Sequence, residues 1–191
     1  MRNRMSKKHQ ASLLSFFIMG CLLLTACEAD PSIDHSSKCS FTFSYDDFPT
    51  SQIFVAAQNP GSYVFVSTKG DGKNTMRHVY VTSNYYQSPT EDNIITNAIY
   101  NNLNYLLGST NEIGLIIGCS NFNGLRAYDR CCPNCTTLRA LQWTGNYQKV
   151  VCNSCKRVYD LETATISEGD KGSSLRRYNC MFNGTALNVW N

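Results

Sequence analysis

Two Cys-x-x-Cys pairs place the strongest constraint on how this chain can fold. Cys132 and Cys135 form the first pair, Cys152 and Cys155 form the second, and sixteen residues separate them. Each pair makes a tight turn, here called a knuckle, that directs two thiolates toward one point. Two facing knuckles supply four sulfur ligands in a tetrahedral arrangement, and this spacing is typical of a protein-bound metal. We therefore predict a metal site formed by these four cysteines.

The four thiolates leave the identity of the metal open. Zinc, mononuclear iron and an iron–sulfur cluster all accept four cysteine ligands. A different interpretation is that the cysteines form ordinary disulfides in an exported protein, but two Cys-x-x-Cys pairs at this separation favour a metal.

Four further cysteines between residues 39 and 191 belong to neither knuckle. They are Cys39, Cys119, Cys131 and Cys180. Four cysteines allow three pairings, and the sequence does not choose among these and simple buried thiols. Cys131 directly precedes Cys132, so it is either a rival ligand or a disulfide partner that clamps the first knuckle.

The first 26 residues have the composition of an export signal. A basic start is followed by an apolar stretch, residues 11–24, that is too short to span a bilayer comfortably. The stretch ends in Leu24-Thr25-Ala26-Cys27, which resembles the lipobox of bacterial lipoproteins, in which the cysteine is lipidated and the preceding residues are removed. A plain secretory signal and an uncleaved anchor are the alternatives. We expect a mature protein attached to a membrane through acylated Cys27, in the periplasm or at the cell surface.

Removal of the signal changes the charge of the chain. Residues 1–26 hold four of the 17 Lys and Arg residues and no acidic residue, so 13 basic residues remain against 14 acidic ones. A net charge of about −1 gives no electrostatic support for binding nucleic acid. The partners that we expect are the membrane, through the lipid anchor, and an unidentified redox or binding protein.

The rest of the chain has the pattern of a mainly β protein. Residues 27–38 are polar and predict a short tether, and the folded domain is expected over residues 39–191. Strand periodicity, β-branched runs and an apolar run occur at residues 41–45, 63–68, 77–82 and 114–118. Gly145-Asn146 and Asn183-Gly184 predict hairpin turns, which indicate antiparallel pairing.

One segment has the pattern of a helix. Ser88-Pro89-Thr90-Glu91 has the residues of a capping box, with proline at the first helical position. Apolar residues from Ile94 to Leu107 then recur at helical spacing, and Gly108 suits the position after a helix end. We predict a single helix over residues 88–107 that packs on a sheet.

The segments around the knuckles also resemble a Rieske-type domain. The resemblance is carried by GLRAYDRCCPNC, VVCNSCKRVYDLETATISEG and LRRYNCMFNGTALNVWN, and it covers about residues 114–191. Such domains have a Cys-Pro-His loop after an Ala-aromatic-Asp strand, a Cys-Pro-x-His-Gly loop before an aromatic-Asp-Leu-x-Thr-Gly strand, and a final hairpin. The resemblance implies a mainly β fold of antiparallel sheets. The knuckles themselves are compatible with a rubredoxin-like or zinc-ribbon-like metal-binding subdomain at about residues 126–160. The predicted helix would be an insertion.

The ligands depart from those of the family that the chain resembles. Cys132 and Cys152 match the two loop cysteines. Cys155 stands at the position of the second-loop histidine, while Asn134 stands at that of the first-loop histidine and is followed by Cys135.

The missing histidines change the chemistry that the resemblance implies. Lys156 replaces the loop glycine, and the only histidines of the mature chain, His35 and His78, are distant from the knuckles in sequence and are not assigned to the site. Thiolates in place of imidazoles lower the reduction potential of a cluster and remove the ring protons that couple electron transfer to pH. A quinol-oxidising role is therefore not expected.

Two functions remain open from the sequence. One is electron transfer by a [2Fe–2S] cluster on Cys132, Cys135, Cys152 and Cys155. The other is a non-catalytic binding or interaction module in which the same cysteines hold zinc or mononuclear iron. Neither a nucleophile–base pair nor a G-x-S-x-G motif supports hydrolytic chemistry, so the chain is not expected to be an enzyme by itself. Nearby aromatic residues are expected to shield the metal, namely Tyr128, Trp143 and Tyr159.

Overall fold

The fold is built from two antiparallel β-sheets. The computed structural model describes residues 32–70, 73, 75–85 and 90–191, and residues 32–191 belong to one compact unit. The predicted signal, Cys27 and the start of the predicted tether lie outside these residues. The prediction of a mainly β fold with antiparallel sheets is confirmed. Neither helix in the described ranges is long and apolar enough to cross a membrane.

The elements are numbered in chain order. The strands are β1 (Cys39–Ser44), β2 (Tyr63–Lys69), β3 (Arg77–Ser83), β4 (Glu91–Ile95), β5 (Leu106–Leu107), β6 (Leu115–Ser120), β7 (Gly124–Asp129), β8 (Gln142–Trp143), β9 (Lys149–Val151), β10 (Val158–Asp160), β11 (Ile166–Glu168), β12 (Arg177–Phe182) and β13 (Ala186–Trp190). The helices are α1 (Gln52–Gln58) and α2 (Ala98–Asn101). Nine strands form the main sheet in the order β4-β3-β2-β6-β7-β12-β13-β1-β5, and four form the small sheet in the order β11-β10-β9-β8.

The central strands of the main sheet are buried on both faces. In β2, Val64 and Val66 belong to the main core, which α1 also covers, whereas Tyr63 and Phe65 belong to a second core under the small sheet. A continuous apolar run is typical of a strand that is covered on both sides, and the Tyr63–Lys69 strand begins with such a run. The small sheet therefore packs on the outer face of β2, β6 and β7.

The predicted helix over residues 88–107 is wrong. Glu91–Ile95 forms strand β4, which pairs with β3, and Leu106–Leu107 forms strand β5, which pairs with β1. Only the four residues of α2 between these strands are helical, and the side chain of Asn97 caps them. Ser88 and Pro89 of the predicted capping box lie outside the described residues. Consecutive β-branched residues from Ile94 to Thr96 favour a strand. Pairing with β3 stabilises this strand more than the helical spacing of the apolar residues would stabilise a helix.

A helix that the sequence did not indicate forms at α1. Residues 53–57 are apolar, and a run this short does not distinguish a helix from a strand. Ser51 caps the helix, because its hydroxyl accepts a hydrogen bond from the amide of Ile53, and the Ser51 hydroxyl itself donates to Glu91 on β4. Ile53, Phe54 and Ala56 are buried in the main core.

The described part of the predicted tether, residues 32–38, lies against the domain. The Asp34 amide donates to the carbonyl of Arg177 at 2.8 Å, and the Asp34 carboxylate lies 3.8 Å from Nε of Arg176. The side-chain amide of Asn191 donates to the carbonyls of Asp34 and Ser37 at 2.7 and 2.6 Å. Ordered packing therefore begins before Cys39.

The carboxylate of Glu162 joins the segment after β10 to the turn between β6 and β7. It accepts hydrogen bonds from the Asn121 and Phe122 amides at 2.7 and 3.2 Å, from the Ser120 hydroxyl at 3.0 Å and from the Asn123 side chain at 2.8 Å. Burial alone would raise the pKa of Glu162, but these donors outweigh burial and lower the pKa below the ordinary 4.5.

We expect Glu162→Gln to destabilise the protein by about 1–2 kcal/mol near neutral pH, because the charged acceptor of four hydrogen bonds is lost. The folded-state pKa is depressed, so the contribution is present above the unfolded-state pKa and is lost as pH falls through the folded-state value. Urea denaturation at a series of pH values would therefore show the variant and the parent protein converging below about pH 4. Glu168→Gln is the control, since the Glu168 side chain is 65% exposed. An equal loss in both variants would contradict the assignment.

Candidate metal centre

Strand β7 delivers the first knuckle, and a buried carboxylate fixes the direction in which the chain leaves this strand. Asp129 is fully buried at the end of β7. One oxygen accepts a hydrogen bond from the Cys131 amide at 2.8 Å, and the other accepts one from the Tyr178 hydroxyl at 3.0 Å. The knuckle loop is closed where the Cys132 amide donates to the carbonyl of Arg139 at 2.8 Å.

The second knuckle connects β9 to β10. The Lys156 amide donates to the carbonyl of Cys152 at 2.8 Å, and the Cys152 amide donates to the carbonyl of Arg157 at 2.9 Å. These bonds force a tight reversal, in which Lys156 has a left-handed conformation with φ of 62°. Glycine adopts this conformation without strain, whereas a residue with a Cβ atom adopts it only at an energetic cost. Lys156 therefore forms the turn at some conformational cost.

The structure brings the four predicted ligands together. All four Sγ atoms lie within 4.8 Å of one another, with 3.7 Å between Cys132 and Cys155 and 3.6 Å between Cys135 and Cys152. A disulfide would need about 2.05 Å, and the eight cysteines of the described residues are all free. Cys132 and Cys152 are buried, whereas Cys135 and Cys155 are half-buried. This group of thiols can hold a metal ion.

The other predicted candidates lie outside this group. Cys131 is buried next to the first knuckle but does not contribute a sulfur to the group. His78 lies on β3, where its ring nitrogen is 2.9 Å from the carboxylate of Asp92, and His35 is also not among the grouped ligands.

Two of the distances between the sulfur atoms match those around a tetrahedral ion. Zinc–sulfur bonds of about 2.3 Å imply about 3.8 Å between the sulfur atoms of neighbouring ligands. The two sulfur contacts at 3.6 and 3.7 Å are close to that value. Thiolates are also the donors that zinc and iron accept in four-coordinate sites.

Cys132 and Cys155, one from each knuckle, differ in acidity. Burial raises the pKa of the Cys132 thiol to about 12. Burial would also raise the pKa of Cys155, but hydrogen bonds from the backbone amide and the guanidinium of Arg157 lower this pKa to about 6. A metal that binds all four sulfur atoms must displace the proton of Cys132.

Asn134 and Tyr159 form hydrogen bonds and close contacts beside the first knuckle. The Tyr159 hydroxyl is buried 3.4 Å from Sγ of Cys132, and it accepts a hydrogen bond from the Asn134 side chain at 2.8 Å. The same side chain donates to the carbonyl of Ser173 at 2.7 Å and accepts from the Ser173 amide at 2.8 Å. Gly172 permits this contact, because a Cβ atom there would lie 2.3 Å from the Asn134 oxygen. Asn134 thus fixes the segment 169–175 over the knuckle.

Arg157 holds the same segment to the second knuckle. Its guanidinium donates to the carbonyls of Asp170 and Lys171 at 2.9 and 3.1 Å. Sequence reasoning did not identify Arg157 or Ser173 as part of the site, since these contacts depend on a loop that is distant in sequence. The sequence feature that could have indicated these contacts was the polar residue Asn134 between the two cysteines of the first knuckle.

The three predicted shielding aromatics lie in the second core together with the knuckle cysteines. Tyr128 and Tyr159 are buried, and Trp143 packs at the edge of this core. The Trp143 ring stacks on Phe65 with 3.7 Å between ring centroids. The core therefore separates the inner side of the sulfur group from water.

Comparison of the chain with the models of known protein families, with curated proteins and with solved structures found no match. The roles of the site residues therefore rest on the geometry described above.

We expect Cys155→Ser to weaken zinc binding by more than about 100-fold, because a hydroxyl is a poor substitute for a thiolate ligand. Cys131→Ser is the matched control, since it changes a neighbouring buried thiol that is outside the group and should leave metal content unchanged. Elemental analysis and competition with a chromogenic chelator would measure both variants. Equal metal loss in the two variants would contradict the assignment of ligands.

Proposed function

We propose that this chain is an exported, lipid-anchored protein in which a Rieske-like scaffold holds one zinc ion as the structural cross-link of a non-catalytic interaction module. The observation that carries the proposal is the compact sulfur group, with all four Sγ atoms within 4.8 Å. A [2Fe–2S] cluster divides its four ligands between two irons, so the two pairs stand farther apart than the ligands of one ion. The sulfur spacing favours a single ion.

The dimensions of the small sheet support a structural role for this ion. Strand β8 has two residues, and β9, β10 and β11 have three each. Strands this short contribute little stability by pairing alone. One ion bound by both knuckles would tie the loop before β8 to the loop between β9 and β10. Structural zinc sites contribute an apparent binding free energy of about 10–16 kcal/mol to folding, which is ample for this purpose.

The topology supports the Rieske-like part of the proposal. The small sheet is inserted between β7 and β12, two paired neighbours in the main sheet. Ala127, Tyr128 and Asp129 end the strand before the first knuckle, and Tyr159 and Asp160 lie in the strand after the second. The β12–β13 hairpin is the final pair of strands. These positions agree with the motifs that carry the resemblance.

Mononuclear iron is the second candidate, and one observation favours it. Cys135 and Cys155 are half-buried, so two of the four ligands reach the surface. An iron ion at this position would lie close to a docked redox partner, and the function would then be electron transfer. A [2Fe–2S] carrier is the form that the sulfur spacing supports least.

The proposal predicts that the protein purified with its native metal is colourless and contains one zinc per chain. Elemental analysis, visible spectroscopy and an assay for acid-labile sulfide separate the candidates. Iron with absorbance at about 400–600 nm would refute zinc, and added acid-labile sulfide would indicate a two-iron cluster. A protein without metal whose thiols are oxidised to disulfides would refute both candidates.

A further inference from the structure

The start of the described chain lies at the end of the molecule that carries the knuckles. Ile33 forms a parallel bridge with Arg177, and the Arg177 guanidinium donates to the hydroxyl of Ser32 at 2.7 Å. Arg177 opens β12 and pairs with Tyr128, close to the end of β7 that leads into the first knuckle. Ser173, which Asn134 holds to that knuckle, precedes Arg177 by four residues.

The chain that precedes Ser32 is too short to let this end move far from a membrane anchor. Five peptide units connect Cys27 to Ser32. They span at most about 18 Å when fully extended. If Cys27 is acylated, as the proposed function requires, the knuckle end is held near the lipid surface. The turn between β6 and β7 lies at the other end of β7, away from the knuckles.

The part of the sequence that forms the metal centre is basic. Residues 126–177 contain nine basic and five acidic residues, whereas residues 32–125 contain four basic and seven acidic ones. A divalent ion on four thiolates carries a formal charge of −2, which leaves the first of these segments with a positive balance. The segment that forms the metal centre is therefore net positive, whereas residues 32–125 are net negative.

Three of these basic residues are exposed beside the knuckles. Arg139 belongs to the first knuckle loop, Lys156 follows Cys155, and Lys171 lies in the segment that Arg157 holds. Within the described residues they take part in no ion pair, whereas Lys149 and Arg157 pair with Glu168 and Asp170. Leu138, which is 55% exposed, lies next to Arg139. We call Leu138, Arg139, Lys156 and Lys171 the basic rim.

We propose that the basic rim docks the metal-bearing end of the protein on an anionic lipid surface. Lysine and arginine near a membrane are attracted by anionic headgroups, and arginine also donates hydrogen bonds to phosphate oxygens. The short connection to Cys27 favours lipid over an acidic soluble protein, because it keeps this end beside the membrane. The proposal rests on the proposed lipid anchor and assigns the half-buried ligands Cys135 and Cys155 to the membrane-facing side.

The test uses the mature lipidated protein in vesicles of phosphatidylcholine alone or mixed with phosphatidylglycerol. Its metal content and the acyl mass on Cys27 are measured first. Hydroxyl-radical footprinting then compares Leu138 with Phe122, which is 88% exposed in the turn between β6 and β7. We expect anionic vesicles to protect Leu138 but not Phe122, and high salt to abolish the protection.

A triple variant tests the charges directly. With Arg139→Gln, Lys156→Gln and Lys171→Gln combined, the equilibrium constant for docking should fall by about fivefold per residue removed. Lys149→Gln is the control, because Lys149 is already paired with Glu168 and should leave docking unchanged. Metal content that matches the parent protein would show that the triple variant retains its fold at the knuckles.

Several results would overturn the proposal. These are equal reactivity of Leu138 in the two kinds of vesicle, protection that survives the triple substitution, protection of Phe122 instead, and protection of Leu138 only on addition of an acidic soluble protein. Failure of the proposed function is seen separately, because missing zinc or a missing acyl group is detected before any vesicle is added.

Discussion

The strands of the small sheet, which carry the second knuckle, are too short to hold four thiols together through backbone pairing. In the small sheet each strand has two or three residues, yet Cys132, Cys135, Cys152 and Cys155 converge within 4.8 Å. Without a metal, burial keeps the Cys132 thiol protonated, because its pKa is raised to about 12, and thiols form only weak hydrogen bonds with one another. A metal ion that displaces the thiol protons would bind all four sulfur atoms, and we infer that the small sheet depends on it.

The main sheet also supports the metal centre. It provides the apolar core beneath the knuckles and the buried carboxylate at the end of β7. Tyr63 and Phe65 of β2 contribute to the core beneath the knuckles. Asp129 would be costly to bury alone, but its oxygens accept four hydrogen bonds and lie 3.8 Å from Nη1 of Arg176. Gly108, with φ of 67°, allows this close approach, since a Cβ atom would lie 2.7 Å from the carboxylate. The direction of the first knuckle is thus set by the main sheet rather than by the knuckle itself.

The sequence was most informative where the determinants are local. The Cys-x-x-Cys spacing identified the four grouped thiols, and the Asn183-Gly184 turn identified the β12–β13 hairpin that the structure contains. The apolar run of β2 also predicted a strand correctly, because the preference of these residues for a strand is local.

The sequence was least informative where distant parts of the chain decide the outcome. The segment at Glu91–Ile95 has helical spacing, but the free edge of β3 recruits it as a strand. The role of Asn134 depends on Ser173 and Tyr159, and the spacing of the knuckles contains no information about either contact. The described part of the predicted tether packs on the domain because Arg177 and Asn191, near the other end of the chain, offer it hydrogen-bond partners.

Hydrogen exchange with and without metal tests the central claim most directly. The protein is compared, by mass spectrometry, before and after removal of zinc by a strong chelator under reducing conditions. The account predicts that segments 130–160 lose protection on chelation, while β2, β3, β6 and β7 keep theirs, because the ion cross-links only the two knuckles. Unchanged protection of segments 130–160 in the metal-free protein would contradict a structural role for the metal.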